Sequence, residues 1–378
     1  MESPRKYFQG LPDPRIKRKQ LHDFQDVIMI VLCGVIAGCD EWTTIQEYAN
    51  TKIKFLKTFL TLKNGIPSHD TFGDIFAKID PVKFEECFLA WTLGVCKLTE
   101  GEIISIDGKK LRGSYDKHDK KAAIHMVSAW ANQNRLVLGQ VKVDDKSNEI
   151  TAIPQLIKVL LLKGCIVTID AMGCQTEIAK LIVEAEADYV LSLKGNQGTL
   201  QQHVKDSFER ERPTHTYTEL TNDHGRVEKR AYSVLSDLKW IDNSSAWAGL
   251  QTLIRVESEV FQKLTKKTTN ETRYYISSLQ VVDKQKDTEN IARAVRGHWG
   301  IEVCLHWSLD VSFNEDKSRV RKGYADQNLS AVRKIALNLL REEATVKRGI
   351  KTKRMKAGWD DDYLRGCLGF CFTDSSGH

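Results

Sequence analysis

EIISIDGK at residues 102–109 and CIVTIDAMG at residues 165–173 share one pattern, a short apolar run that ends on an aspartate. Runs of this length that are rich in isoleucine, valine and threonine are typical of buried β-strands. We therefore predict one strand over Glu102–Ile106 that stops at Asp107, and another over Cys165–Ile169 that stops at Asp170.

The segments beside these two strands predict an α/β fold. Two more strands follow the first, and two helices then alternate with the remaining strands. The resulting order, β-β-β-α-β-α-β, is an antiparallel meander followed by right-handed crossover units. In chain order the further elements are strands at 122–130 and 136–143, helices at 153–162 and 177–186, and a strand at 189–193.

Residues 1–98 are predicted to form an all-α N-terminal domain. Its helix Phe24–Ala37 is apolar on nearly every side and therefore central to its bundle. Short helices joined by tight turns are typical of a helix-turn-helix DNA-binding module. A bundle that serves packing or dimerisation explains the same pattern, so both interpretations stay open. The other helices are predicted at 42–60, 72–79 and 81–91.

Residues 99–378 are predicted to form a second domain around the sheet. From about 205 to 285 the chain is polar and strand-like, which predicts a β-rich insertion. Helical spacing returns over Thr288–Trp307 and over Asp326–Lys347.

Composition narrows the class of protein. Hydrophobic residues make up 41% of the 378 residues and charged residues 28%, as in an ordinary globular protein. The most apolar stretch, Val27–Gly38, is too short to cross a bilayer, which takes about 20 residues. Nine cysteines without a C-x-x-C pair or a secretory leader predict reduced thiols in a cytoplasmic protein and no zinc site.

Basic residues cluster near both ends, although the formal net charge is only +6. Such clusters are often solvated surface, but contact with a polyanion is the natural functional interpretation. The clusters are Arg15, Lys17, Arg18 and Lys19 near one end, and Lys347, Arg348, Lys351, Lys353, Arg354 and Lys356 near the other.

Asp107 and Asp170 are the strongest local feature of the sequence. In a meander followed by a crossover, the two strands that end at these aspartates are neighbours, about 4.8 Å apart. Two carboxylates that close repel each other unless a cation lies between them. Hard oxygen ligands suit Mg²⁺ or Mn²⁺ rather than zinc. The alternative is that each aspartate only forms the turn after its strand.

A third acid is expected on the helix over Thr288–Trp307. Glu302 shares a face with Ile291, Val295, Trp299 and His306 by helical spacing. An unpaired glutamate on an inward-facing apolar stripe is rare, and a metal explains it. An ion pair with a buried arginine would explain it too.

Asp310 lies two helical turns after Glu302 and is the reserve candidate for a metal ligand, whereas Glu315 and Asp316 look like loop acids. Trp130, Trp299 and Trp307 are predicted to be core residues rather than stacking platforms for bases.

Cationic and polar side chains near the acids are candidates for contact with a phosphate backbone. Solvated lysines, and cross-strand pairs for the two arginines at 226 and 230, are the structural alternatives. The candidates are Lys109, Lys110, Arg112, Lys194, Asn196, Arg226, Arg230, Arg296 and His298.

Six short strings in order resemble the H-repeat-associated insertion-sequence transposases, a group of bacterial DDE transposases with a β-strand insertion. The resemblance covers nearly the whole chain, including the helical part, whose family counterpart is a transposase-associated domain. The strings are IDGK at 106–109, KSNEI at 146–150, TIDAMG at 168–173, KGNQ at 194–197, HWGIE at 298–302 and LHWSLDV at 305–311.

The resemblance implies an RNase H-like catalytic domain at 99–378, with Asp107, Asp170 and Glu302 as the catalytic triad. It implies two Mg²⁺ ions, with Mn²⁺ as a substitute, and double-stranded DNA as partner, both transposon ends and target. It further implies a bacterial, nucleoid-associated protein that acts on paired ends as a dimer. A nuclease or resolvase on the same core, or a DNA-binding protein that has lost catalysis, remains the alternative.

The sequence departs from the family at one signature. Related transposases with this insertion place a tyrosine, an arginine and a lysine around the third acid. Val295, His298 and Leu309 stand at these positions here. His298 or Arg296 is the candidate substitute for the arginine.

Overall fold

The computed structural model describes residues 2–115, 122–144, 147–223 and 225–370. Lys146 of the string at 146–150, and the last eight residues of the predicted second domain, lie outside these ranges. Among the described residues no helix combines the length and the apolar character that a membrane crossing requires.

Six helices precede the sheet. The longest apolar one begins behind Asp23, whose carboxylate accepts a hydrogen bond from the Asp26 backbone N–H, and all of its residues but Gln25 are buried. The helix predicted over 42–60 is broken at Lys52, so that prediction was wrong in its extent. The helices are α1 (Arg5–Phe8), α2 (Phe24–Ile36), α3 (Trp42–Thr51), α4 (Ile53–Leu56), α5 (His69–Phe76) and α6 (Pro81–Val95).

Five strands and two helices then follow in the predicted order. β1 pairs antiparallel with β2 and parallel with β4, while β3 and β5 extend the sheet on either side. The elements are β1 (Ile103–Lys110), β2 (His125–Ala131), β3 (Leu136–Lys142), α7 (Glu149–Val159), β4 (Ile166–Ile169), α8 (Thr176–Glu184) and β5 (Asp188–Leu193).

β1 is longer than predicted. The sequence ended this strand at Asp107, but pairing with β2 continues to the partners Lys110 and His125. The parallel partner β4 stops earlier, at Ile169 opposite Ile106. Asp107 therefore lies inside a strand, at the point where its parallel neighbour has ended.

Four long strands widen the sheet to nine, in the order β3-β2-β1-β4-β5-β9-β8-β7-β6. β9 pairs antiparallel with β5, which joins the added strands directly to the first five. The predicted β-rich stretch begins within a helix, which the polar composition did not reveal. The elements are α9 (Gly198–Arg210), β6 (His215–Asp223), β7 (Arg226–Leu235), β8 (Thr252–Gln262) and β9 (Lys267–Ser277).

The last part of the chain is helical. The helix predicted over 288–307 is longer and contains a π-helical turn at Ile301–His306. α12 is buried over all but its last two residues and contacts α2, α6 and β3. The helices before and after the sheet therefore share one core. The elements are α10 (Lys284–Gly300), α11 (Trp307–Phe313), α12 (Ala325–Glu342), α13 (Ile350–Trp359) and α14 (Asp361–Cys367).

Part of the C-terminal basic cluster belongs to this core. Lys353 donates hydrogen bonds to the backbone carbonyls of Leu340 and Glu343, and Arg354 donates to Val35 and to Asp40. Both side chains are buried. These two residues were predicted as surface for a polyanion, and their placement is structural.

Candidate active site

Asp107 and Asp170 meet at one edge of the sheet. β1 and β4 run parallel and in register up to the pair Ile106 and Ile169. The residue that follows each member of this pair is an aspartate, Asp107 or Asp170. Both aspartates line a cavity of about 410 Å³, and Glu302 lines the same cavity. The three acids of the predicted triad are thus brought together from positions far apart in the sequence.

Glu302 reaches this cavity from the π-helical turn. Such turns are rare and concentrate at functional sites, because they change the direction in which side chains leave the helix. Within the described part of the chain, Glu302 has no salt-bridge partner. The alternative of an ion pair with a buried arginine is therefore not what the structure contains.

The predicted burial of this helix face was wrong at Trp299 and Glu302, whereas His306 on the same face is buried. Ile291 and Val295 are buried against the sheet, but Glu302 is exposed, Trp299 is 53% exposed and Trp307 is 59% exposed. The prediction assumed one uninterrupted α-helix against a continuous core, whereas α10 passes beyond the sheet to the wall of an open cavity. Trp130, in contrast, is a core residue as predicted.

Asp170 lies in surroundings that oppose its negative charge. Burial raises the pKa of its carboxyl, and the charges of Glu149 and Asp107 raise it further. Its Oδ1 accepts hydrogen bonds from the backbone N–H groups of Met172 and Gly173, at 3.0 and 3.4 Å. Asp170 therefore forms the turn after its strand, as the alternative interpretation held, and its carboxyl also lines the cavity.

His306 is a member of the site that the sequence analysis missed. Its Nε2 lies 3.3 Å from Oδ2 of Asp107, and its side chain is buried. Ligand atoms of Asp107, Glu302 and His306 all lie within 4.8 Å of one another. The Glu-x-x-x-His spacing, which puts both side chains on one side of a helix, was the signal available in the sequence.

His298 forms part of the cavity wall. Its Nδ1 lies 3.2 Å from Oγ1 of Thr168 on β4. Burial lowers the pKa of His298, although the negative charges of Asp107 and Asp170 act in the opposite direction. His298 therefore contacts β4 through Thr168 and also lines the cavity of the acids.

Lys109 is held inside the protein. Its ammonium contacts Asp310, and lies 2.9 Å from Oε2 of Glu315. Burial alone would lower the pKa of Lys109, but these carboxylates raise it. The contact with a phosphate predicted for Lys109, and the metal contact held in reserve for Asp310, have no support in this arrangement.

Glu315 was interpreted as a loop acid, and that was wrong. It is almost fully buried, and although burial opposes its charge, Lys109, Lys334 and Arg333 lower its pKa to about 2. Its ion pair with Lys109 joins β1, two residues after Asp107, to the chain that follows the Glu302 helix. The sequence carried no signal for it because the partners lie 206 positions apart.

The other predicted DNA contacts fall into two groups. Lys110, Arg112, Lys194 and Arg226 are exposed, and Lys194 lines the cavity of the acids. The rest have partners within the protein: Asn196 donates to the Ala171 carbonyl at 2.6 Å, Arg296 pairs with Glu219 at 3.3 Å, and Arg230 pairs with Glu228 and with its cross-strand neighbour Glu219.

A second cavity of about 500 Å³ lies on the face of β7, β8 and β9. It shares Arg273, Tyr275, Val295 and Trp299 with the cavity of the acids, so the two cavities are adjacent. The guanidinium of Arg273 lies 5.2 Å from the centre of the Trp299 ring. Sequence analysis missed Arg273, because its place beside the acids depends on the pairing of β9 with β5.

Family models match nearly the whole of the described chain. Residues 98–339 match the model described as "Transposase DDE domain", and residues 5–92 match the model described as "DDE_Tnp_1-associated". The chain belongs to the DDE transposase family.

Two relatives of this transposase are themselves named as transposases. It is 42% identical to "Putative transposase YncI" of Escherichia coli O157:H7, over 97% of this chain and 94% of the relative. It is 39% identical to "H repeat-associated putative transposase YhhI" of Escherichia coli K12, over 95% of each chain. These relatives match the family that the six strings predicted.

One solved structure of a transposase is distantly similar. It is a synaptic complex of the piggyBac transposase with hairpin DNA, at 12% identity and a TM-score of 0.45, over 97% of this chain and 82% of that one. A likeness this distant supports no inference.

The buried ion pairs of Lys109 give a test of its placement. Replacing it with alanine removes the cation that Asp310 contacts and one of the three cations around Glu315, and we expect a loss of roughly 3–5 kcal/mol in the free energy of unfolding. Lys110→Ala, at the exposed neighbouring residue, is the matched control and should change it by about 0.5 kcal/mol or less. Chemical denaturation of both variants makes the measurement. Equal free energies of unfolding for the two variants would contradict the buried placement of the Lys109 ion pairs.

Proposed function

We propose that Asp107, Asp170 and Glu302 are the catalytic acids of this transposase. They hold two divalent ions, Mg²⁺ with Mn²⁺ as a substitute, for cutting DNA at transposon ends and joining the ends to target DNA. The observation that supports this most directly is the register of β1 and β4, which sets two carboxylates side by side at the wall of a cavity that Glu302 also lines.

The chemistry of the donor set fits divalent ions. Three carboxylates converge, and the pKa of Asp170 is raised by burial and by neighbouring negative charge. A cation among the acids would relieve that repulsion. Oxygen donors suit Mg²⁺ and Mn²⁺.

Two bound ions supply activation of the attacking oxygen and stabilisation of the leaving oxygen in an in-line displacement at phosphorus. The protein groups around the acids orient the DNA. Lys194 lines the same cavity and can pair with a phosphate that approaches the acids. Arg273 also lines it, and would have to exchange its ion pair with Glu271, at 2.8 and 2.9 Å, for one with the phosphate. Trp299 and His298 line the cavity together with the acids.

The same site would catalyse two successive reactions, cleavage at the transposon end and joining to the target. In the first, water attacks the phosphate at the transposon end, and the 3′ oxygen leaves and takes up the proton. In the second, that 3′-OH attacks a target phosphate and loses its proton, and the displaced 3′ oxygen of the target strand takes up a proton in its place. Neither reaction needs a covalent bond between protein and DNA.

The strand order supports an RNase H-like core for residues 99–378. The first five strands are ordered β3-β2-β1-β4-β5, with β1 and β4 carrying the acids at the centre. We infer that β6 to β9, within the stretch of about 205–285, are the β-rich insertion. Its cavity is lined by Arg226, Arg273 and Arg296, and its positive charge would guide the DNA duplex.

We also infer that residues 1–98 act as the DNA-binding part and that two copies work on paired transposon ends. Lys17, Arg18 and Lys19 are exposed and suit contact with phosphates. Two ends must be held together for joining, which a dimer of this chain achieves by symmetry.

A joining assay tests the function. The transposase is mixed with linear transposon ends, a supercoiled plasmid and Mg²⁺, and the joined product is measured. Asp107→Asn, Asp170→Asn and Glu302→Gln should each lower cutting and joining on the order of a thousandfold or more, because each removes an ion ligand. Asp310→Asn is the matched control, and it should lower catalysis far less, since Asp310 binds Lys109.

The outcomes separate the alternatives. Cutting without joined product would mean a nuclease or resolvase, and binding without cutting would mean a protein that has lost catalysis. Cutting that survives both aspartate substitutions would place the active site elsewhere.

Lys194 gives a test of the DNA path. Phosphate contacts weaken with salt because they release counterions from the DNA. Lys194→Ala should therefore weaken binding of transposon-end DNA and reduce the slope of log affinity against log salt by about 1. Lys163→Ala, at an exposed lysine beyond the opposite end of β4, should leave the slope unchanged. Fluorescence anisotropy at several salt concentrations measures both, and identical slopes for both variants would exclude Lys194 from the path.

A further inference from the structure

We propose that His306 is a ligand of one of the two ions, so that this ion sits among Asp107, Glu302 and an imidazole. This inference rests on the proposed function and adds to it a preference for Mn²⁺ over Mg²⁺ at that position. It goes beyond the three acids, which account for neither the burial nor the orientation of this histidine.

The first observation is an imidazole with unsatisfied nitrogens. His306 is 3% exposed, and among the described residues neither Nδ1 nor Nε2 has a hydrogen-bond partner. A buried polar atom without a partner costs roughly 1–3 kcal/mol. Such an atom in a native fold calls for a specific explanation, of which an ion is one.

The second observation is the distance to the nearest acid. Nε2 of His306 lies 3.3 Å from Oδ2 of Asp107, although the two atoms do not have the geometry of a hydrogen bond. Ligand atoms about 2.1 Å from a shared ion lie roughly 3 Å apart when they are at right angles. The observed separation is close to that value.

The third observation is that Glu302 completes the set. Ligand atoms of Asp107, Glu302 and His306 all lie within 4.8 Å of one another, close to the roughly 4.2 Å that separates two ligands on opposite sides of an ion with bonds of about 2.1 Å. Glu302 and His306 both belong to the π-helical turn, four residues apart, and Asp107 comes from β1. Asp170 is not part of this group. It would bind the second of the two proposed ions together with Asp107.

The ligand type predicts which ion binds best. Mg²⁺ keeps an almost entirely oxygen-based shell, whereas imidazole nitrogen suits transition-metal ions. A site with two carboxylates and one imidazole should therefore bind Mn²⁺ more tightly than Mg²⁺. Replacing the imidazole with an amide oxygen should narrow this difference.

Electron spin-echo spectroscopy of Mn²⁺ bound to the full-length transposase, without DNA, tests the proposal. A directly bound imidazole produces modulation from its nitrogen, and wild-type protein should show it. Labelling the histidines with ¹⁵N should change the pattern, which identifies the nitrogen without any variant. His306→Gln should abolish the modulation and weaken Mn²⁺ binding roughly tenfold or more, with a smaller effect on Mg²⁺.

His298→Gln is the matched control, because His298 lies in the same cavity but packs against Thr168. It should keep the nitrogen modulation. Wild-type protein without modulation, or modulation that survives His306→Gln, would overturn the proposal. If Asp107→Asn weakens Mn²⁺ binding but wild-type protein shows no nitrogen modulation, only the role of His306 is wrong. Binding that is indifferent to Asp107→Asn defeats the proposed catalytic site itself.

Discussion

The parallel pairing of β1 with β4 is the constraint on which the rest of the site depends. Ile106 lies opposite Ile169, and the next residue after each is an aspartate. Two negative charges therefore come together where the shorter strand, β4, ends. Burial adds to the cost, as the raised pKa of Asp170 indicates. A cation would offset this repulsion, and a DDE transposase uses divalent cations for its chemistry.

The helix that carries Glu302 is held to this pair from two sides. α10 packs on β1 and β4 through buried residues such as Ile291, and α11 is tied back to β1 by the contact between Asp310 and Lys109. Glu315 adds a second, fully buried ion pair to the same lysine. The third acid thus approaches Asp107 from a helix whose two ends are both anchored on the strand that bears Asp107.

Much of this could be predicted from local pattern. The runs that end at Asp107 and Asp170 are short, apolar and rich in β-branched residues, so strand type, element order and the meeting of the aspartates followed from periodicity. The choice of Glu302 over Asp310 rested on helical spacing and on the family resemblance. In the structure Glu302 lines the cavity, whereas Asp310 forms an ion pair with Lys109.

What could not be predicted depends on contacts between distant parts of the chain. The exposure of Trp299 and Trp307 follows from where α10 leaves the sheet, which periodicity does not encode. The burial of Lys109 and Glu315, and the place of Arg273 beside the acids, arise from partners and strand pairings far away in sequence. The π-helical turn, which brings His306 beside Asp107, is likewise a tertiary outcome.

Whether Asp107, Asp170 and Glu302 hold two divalent ions is tested by anomalous diffraction from crystals of the transposase soaked in Mn²⁺. We expect two peaks that share Asp107, one also bound by Asp170 and the other also bound by Glu302. Ions located away from Asp107, or a Glu302 carboxylate that stays out of contact with any ion, would contradict it.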